Sequence, residues 1–171
     1  ENGGALFNSN ATNCVFSENS ANQTAGAMAY GEAIECNFTE NTAGTDGGAM
    51  FAGLATECTF IKNSANGEGG ATNDVKSSIC TFTGNTAGTD GGAMSGGVAT
   101  DSTFTKNNAN ETGGAIYNAN ATNCTFTGNS AIKTGGAMHL GTAKNCTFQL
   151  NTAANDNDMD GTNENCIFII P

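Results

Sequence analysis

A 22-residue period runs through this chain and constrains its fold more tightly than any other feature. Gly-Gly-Ala begins at Gly3, Gly47, Gly69, Gly91, Gly113 and Gly135, and Ala25-Gly26-Ala27 fills the one gap in the series. The segment from Gly113 to Thr134 is the clearest copy, and the seven starts follow one another without an insertion. A fixed period of about 20–50 residues marks a stacked repeat architecture. One such unit cannot bury its apolar face alone, so the units are expected to stack into one domain over residues 1–171. Regular coils are expected over 3–156, and a shortened, irregular last coil over 157–171.

Each position of the unit forms a column of like residues. Phe16, Phe38, Phe60, Phe82, Phe104, Phe126 and Phe148, with Phe168, make an unbroken aromatic column. Three residues later stand Asn19, Asn41, Asn63, Asn85, Asn107, Asn129 and Asn151, and two further on an alanine column from Ala21 to Ala153. Cys14, Cys36, Cys58, Cys80, Cys124 and Cys146 precede the Phe column, Cys166 extends theirs, and Ser102 replaces one member. In Cys-Thr-Phe-Thr the alternation suits a strand with Cys and Phe inward and both threonines outward. A second run follows Gly-Gly-Ala, with Leu6, Met28, Met50, Thr72, Met94, Ile116 and Met138 inward and Phe7, Phe51, Tyr117 and His139 outward. A third contains the small inward residues Ala11, Ala33, Ala55, Ser77, Ala99, Ala121 and Ala143.

Three short strands per coil, with identical residues in register, predict an all-β fold: a single-stranded parallel β-helix of about eight coils and three short sheets. At the ~4.8 Å strand spacing the rod would be roughly 35–40 Å long. The unit has no i, i+3, i+4 apolar face and opens on two glycines, which excludes a helical solenoid. Asn is expected at a bend, tolerating the left-handed conformation and chaining its amide to the next Asn. In-register cysteines would lie about 4.8 Å apart, against the Cβ separation of about 3.8 Å that a disulfide prefers, so free thiols acting as small hydrophobes are favoured over bridges.

Composition narrows the partners. The net charge is −11, with sixteen acids against five lysines and no arginine, which excludes a nucleic-acid or anionic-membrane partner that needs clustered cations. No apolar run of about 18 residues is available to insert in a membrane. The polar, glycine-rich composition could suit a disordered chain, but disorder does not keep Phe and Cys in phase. No basic, apolar leader opens the chain, and Glu1 falls in mid-pattern. The expectation is a mature secreted protein or a piece of a longer one.

Gly-Gly-Ala followed by an aliphatic residue, with Phe-x-x-Asn once per coil, resembles the repeats of chlamydial polymorphic membrane proteins. The strings at Asn123–Thr127 and Asn145–Phe148 resemble the Asn-Cys-Thr-Phe-Thr repeats of the related adhesin-like proteins of methanogenic archaea. The resemblance covers residues 3 to about 153. It implies a right-handed parallel β-helix at a cell surface, extracellular, serving attachment to a surface or glycan. The matching residues are core and corner positions, so the resemblance speaks to fold more than to ligand.

Chemistry is sparse. β-Helical polysaccharide lyases use a basic residue beside calcium-binding acids, whereas the five lysines here fall at unrelated coil positions and His139 has no acid or nucleophile in phase. The expectation is a protein that is not an enzyme. Asp156-Asn157-Asp158-Met159-Asp160-Gly161 begins like a calcium loop, with Glu164 nearby, but Ile167 stands where the bidentate acid belongs. Calcium is thus one reading of Asp156, Asp158, Asp160 and Glu164, and a degenerate last coil is the other; no further cofactor is expected.

The outward columns offer the sharper feature. Thr59, Thr81, Thr103, Thr125 and Thr147 form one row and Thr83, Thr105 and Thr127 its companion, none of them charged. Thr is favoured on any exposed sheet face, but so regular a lattice is a candidate binding face and resembles the ice-binding surface of β-helical antifreeze proteins. A third possibility is structural. Ile167 and Ile169 replace the outward threonine pair at the last strand, which suits a covering domain or another copy stacked end to end as a filament. Pro171, lacking an N–H, is the alternative means of blunting that edge.

Overall fold

The computed structural model describes residues 2–169, so Glu1, Ile170 and Pro171, with the edge-blunting expected of Pro171, lie outside the described residues. The chain winds as a parallel β-solenoid: seven turns carry it through eight strands of one sheet, from Val15–Ser17 to Ile167–Ile169, stacked in sequence order. Phe16 pairs with Phe38, Phe38 with Phe60, and so on to Phe148 with Phe168, one full coil at each step up to Phe148. Every sheet pairing is parallel, and among the described residues there is no helix.

Three sheets are present, but not quite the three read from the sequence. The second and third runs join into one long strand in several coils, such as Met28–Ile34, Met50–Thr56, Thr72–Ser78 and Met138–Lys144. They separate in the coils of Leu6, Met94 and Ile116, and together form an eleven-stranded sheet. The third sheet comprises six two-residue strands, from Ser20–Ala21 to Ser130–Ala131, on the alanine column after each ladder Asn. Two residues are too few to show an alternation, which is why the sequence presents this sheet only as a column.

The core is built by translation. Neighbouring rings from Phe16 to Phe148 stack at 4.7–4.9 Å with interplanar angles of 1–10°, and Phe38 through Phe148 are wholly buried. Met28, Met50, Met94, Ile116 and Met138 fill the opposite wall. There the packing also involves residues of the same coil. A Cβ on Gly31 would strike the Ser9 carbonyl of the preceding coil and would also meet Met28 Cε at 2.6 Å, while at Gly53, Gly97 and Gly141 it would strike a carbonyl oxygen of the preceding coil. Met50 and Gly53, Met94 and Gly97, and Met138 and Gly141 repeat the pair. Where Thr72 shortens the side chain, Val75 turns inward and is fully buried; Ile116 is matched by Ala119.

The Asn ladder is saturated. Asn63 Oδ1 accepts both the Asn41 backbone N–H (3.0 Å) and Asn41 Nδ2 (2.9 Å), while Asn63 Nδ2 donates to Asn85 Oδ1 (3.1 Å) and Phe38 O (3.0 Å). The pattern recurs to Asn151, and burying these amides is tolerable because every donor and acceptor in this set is used. The ladder residues are not themselves in the left-handed region, contrary to expectation. The residue before each carries the positive φ: Glu40 (56°), Lys62 (52°), Lys106 (54°), Leu150 (57°), or Gly84 and Gly128. A second such corner precedes each cysteine, as at Glu57 (53°) and Ile79 (56°). One left-handed residue between extended ones turns the chain, and its outward side chain leaves residue type free.

The two glycines of the repeat have different causes. The first takes positive φ, a conformation Ala25 also adopts at 57° and Asp156 at 49°. The second is required by close approach: a Cβ on Gly48, Gly70, Gly92 or Gly114 would strike the carbonyl oxygen of the glycine one coil later. This explains why Ala replaces the first glycine in Ala25-Gly26-Ala27 and never the second.

The last coil loses its two residues at separate places. Thr134 pairs with Asn155, Met138 with Met159 and His139 with Asp160, all 21 residues apart; after a bulge Thr142 pairs with Thr162, 20 apart. Asp156 and Asn157 therefore stand at the glycine positions and Asp158 at the alanine position, directly before the strand Met159–Glu164.

Candidate functional site: the outward threonine face

The corners before Cys and before Asn hold each three-residue strand between fixed turns, so alternation sends Phe inward and its neighbours out. Thr81, Thr103 and Thr125 are exposed; Thr59, Thr147, Thr83, Thr105 and Thr127 are half-buried. Thr81, Thr103 and Thr125 pair in register, as do Thr83, Thr105 and Thr127. Their spacing along the rod follows the 4.7–4.9 Å phenyl stack, and across the strand the i to i+2 separation is about 6.7 Å. The rings beneath stay within 1–10° of parallel from coil to coil, so the inward side of this sheet repeats by near-pure translation. Ile61 and Gln149 interrupt the companion row on either side, leaving Thr-x-Thr complete in three successive coils. Charges sit only at the margins, where Lys62 Nζ stands 3.5 Å from Glu40 Oε1 on exposed side chains.

Beneath one edge runs the cysteine column. All seven cysteines are free, and Cys36, Cys58, Cys80, Cys124 and Cys146 are buried. They are more than small hydrophobes. Cys58 Sγ donates to Thr56 O (3.3 Å) and accepts the Cys36 N–H (3.5 Å). Ser102 Oγ makes the same two bonds, donating to Thr100 O (2.8 Å) and accepting the Cys80 N–H (3.0 Å). The column thus selects a small donor-acceptor, which serine also satisfies. Burial raises the Cys36 thiol above its usual range. Within the pairs Cys58–Cys80 and Cys124–Cys146 the thiol–thiol contact draws Cys58 and Cys146 down and pushes Cys80 and Cys124 up.

The four acids of the last coil are dispersed among separate partners. Asp158 Oδ1 accepts from Asn151 Nδ2 (3.0 Å), Asp156 Oδ2 from Thr134 Oγ1 (3.2 Å), and Glu164 Oε1 lies 3.1 Å from Lys144 Nζ. Asp160 Oδ2 stands 2.8 Å from His139 Nδ1, an ion pair when the imidazole is protonated. Among the described residues no three His, Cys, Asp or Glu side chains group closely enough to hold a metal ion.

His139 therefore does have an acid beside it, contrary to the expectation from the 22-residue phase. Asp160 escaped because the shortened coil places it 21 residues on, one short of the period; aligning the last coil on Met159 would have found it. His139 also stacks on Tyr117 at 5.8 Å. Tyr117 is pushed above its ordinary range by burial, with Asp90 and Glu68 adding to the shift. Of the column read as outward, only Phe7 is openly exposed; Phe51, Tyr117 and His139 are half-buried, and Ala29 and Ser95 are covered.

No curated protein and no solved structure matches the chain. Among the described residues no helix is long and apolar enough to cross a membrane. Residues 57–73, 79–93 and 101–119 match the Chlamydia polymorphic membrane protein repeat. Each matched stretch begins at or near the corner before Cys or Ser102 and reaches the next Gly-Gly-Ala, so the unit defined by the geometry is the unit of the family. Repeats of this kind on a β-solenoid are typical of non-enzymatic surface proteins, and the resemblance drawn from Gly-Gly-Ala and Phe-x-x-Asn holds at the level of these repeats: the chain carries three stretches of the chlamydial polymorphic membrane protein type, wound as a parallel β-solenoid.

Proposed function

We propose that the chain is an extracellular, adhesin-like β-solenoid that attaches to a surface or glycan through its exposed sheet faces, with the threonine lattice as the principal contact. One observation carries this: packing explains the regularity of the inward columns, whereas nothing inside the coil demands Thr at Thr81, Thr103 and Thr125, all exposed. A repeated, uncharged row of methyl and hydroxyl groups presents the same small contact many times, so weak single contacts add up across a surface. The matched surface-protein repeat supports the same reading.

The test is adhesion of beads coated with the chain to intact cells and to printed glycans. The triple variant Thr81→Lys, Thr103→Lys, Thr125→Lys is expected to lose at least tenfold in retained beads while keeping its far-ultraviolet dichroism. Undiminished adhesion by the variant would exclude the lattice as the contact. The in-register, uncharged rows Thr81, Thr103, Thr125 and Thr83, Thr105, Thr127 favour one second reading, in which the lattice orders water and binds ice. Thermal hysteresis in the parent chain that is absent from the same variant would assign the face to ice instead.

A further inference from the structure

The thiol column has a geometry that the attachment function does not use. Cys58, Cys80, Cys124 and Cys146 Sγ each lie 3.3 Å from the carbonyl oxygen two residues earlier and 3.4–3.6 Å from an alanine carbonyl of the preceding coil. Sulfurs that repeat the same contacts are related by the coil-to-coil translation. The phenyl rings two residues on fix that translation at 4.7–4.9 Å. A d10 ion holds a thiolate sulfur at about 2.3 Å, so two such bonds placed end to end span about 4.6 Å. The repeat of the solenoid matches the span of a linear sulfur–metal–sulfur unit to within a few tenths of an ångström.

We propose that vertically adjacent cysteines of this column form linear two-sulfur sites for a soft d10 cation of the Cu(I), Ag(I) or Hg(II) class. Soft thiolate ligands select such ions, and two-coordination is all that a single column offers. Zinc is disfavoured, because a structural site needs four ligands in a tetrahedron and no three candidate ligands cluster among the described residues.

Proton and charge balance narrow the chemistry. With Hg(II), two S–H bonds break, two S–Hg bonds form, two protons pass to solvent, and the bridged pair is neutral. A monovalent ion displaces one proton and keeps the second sulfur as a thiol donor, again neutral. Neutrality matters because the pair is buried and an uncompensated charge there is costly. No electron is transferred. The ion ties successive coils together and stabilises the folded state by binding it.

Ser102 makes the stoichiometry specific. It divides the column into Cys14, Cys36, Cys58 and Cys80 on one side and Cys124, Cys146 and Cys166 on the other. With each sulfur used once, the first run holds two ions and the second one, so the folded chain saturates at three. Ser102→Cys joins the runs into eight thiols and raises the count to four. Cys80→Ser leaves one pair in the first run and lowers it to two; serine already occupies this column at Ser102, so the variant is expected to fold. Native mass spectrometry of the full chain, titrated with HgCl2 and desalted, reads the count, and X-ray absorption reads the sulfurs per ion. Three, four and two ions, each with two sulfurs, are the expected results. Seven ions per chain, three-sulfur coordination, a count indifferent to both substitutions, or uptake only in urea would overturn the proposal. None of these outcomes bears on adhesion through the threonine face.

Discussion

The Phe sheet and the long sheet pass through the same coils, with the same parallel bonding, yet they tolerate change differently. In the Phe sheet each ring packs on its own copies at 4.7–4.9 Å, so the space for a side chain is set by the coils before and after it. In the long sheet Met28 also faces a residue of its own coil, Gly31, and the two positions vary together along the chain: Met with Gly, Thr with Val, Ile with Ala. Invariance in the first sheet and exchange in the second have one cause, the location of the packing partner. A ring stacked on its own copies resists change in a single coil; a side chain that packs within its own coil can change one coil at a time.

Three measurements test that contrast. The largest effect is expected for Phe104→Ala, which leaves a hole flanked by two rings and should cost about 3–5 kcal/mol in urea unfolding. A loss under about 1 kcal/mol would show that neighbouring rings collapse into the gap, and would erase the distinction. The intermediate effect is a coupling. Thr72→Met alone overpacks against Val75 and should cost about 1–3 kcal/mol, and Val75→Gly alone opens a cavity. Together they reproduce the Met-Gly coil, so the double variant should recover about 0.5–3 kcal/mol relative to the sum of the single losses. Additive losses would mean that the exchange is coincidental. The smallest effect is expected outside the core: Thr103→Lys should change stability by no more than about 0.5 kcal/mol, which sharpens the claim that Thr on this face is not required by the fold.

Most of the fold was legible because stacking writes a structural column directly into a sequence column: Phe, Cys, Asn and Gly-Gly each recur at 22 residues and each proved to be one vertical ladder. What escaped was shorter or displaced. The Ser-Ala strands carry too few residues for a period of two to be visible. The left-handed corner sits one residue before the ladder Asn, at Glu40 or Lys62, where the requirement is met by backbone conformation and leaves no consistent side chain to read. The Asp156–Gly161 segment resembles a calcium loop in isolation, but its pairing with Met138 and His139 makes it the opening of another coil. Ser102 reads in the sequence only as a replaced member of the cysteine column, whereas its two hydrogen bonds show a function preserved by oxygen.

The Asn ladder also has a direction. Every amide from Asn41 to Asn129 takes its hydrogen bonds on oxygen from the preceding coil and gives one from nitrogen to the following coil. The side-chain dipoles therefore add head to tail, as peptide dipoles do along an α-helix. The negative pole faces the early coils and the positive pole the late ones. At Asn151, where the described ladder stops, the amide nitrogen meets the carboxylate of Asp158, an anion capping the positive pole. The rod is thus electrically polar along its length, so an incoming charge would experience its two ends differently even where their outlines match.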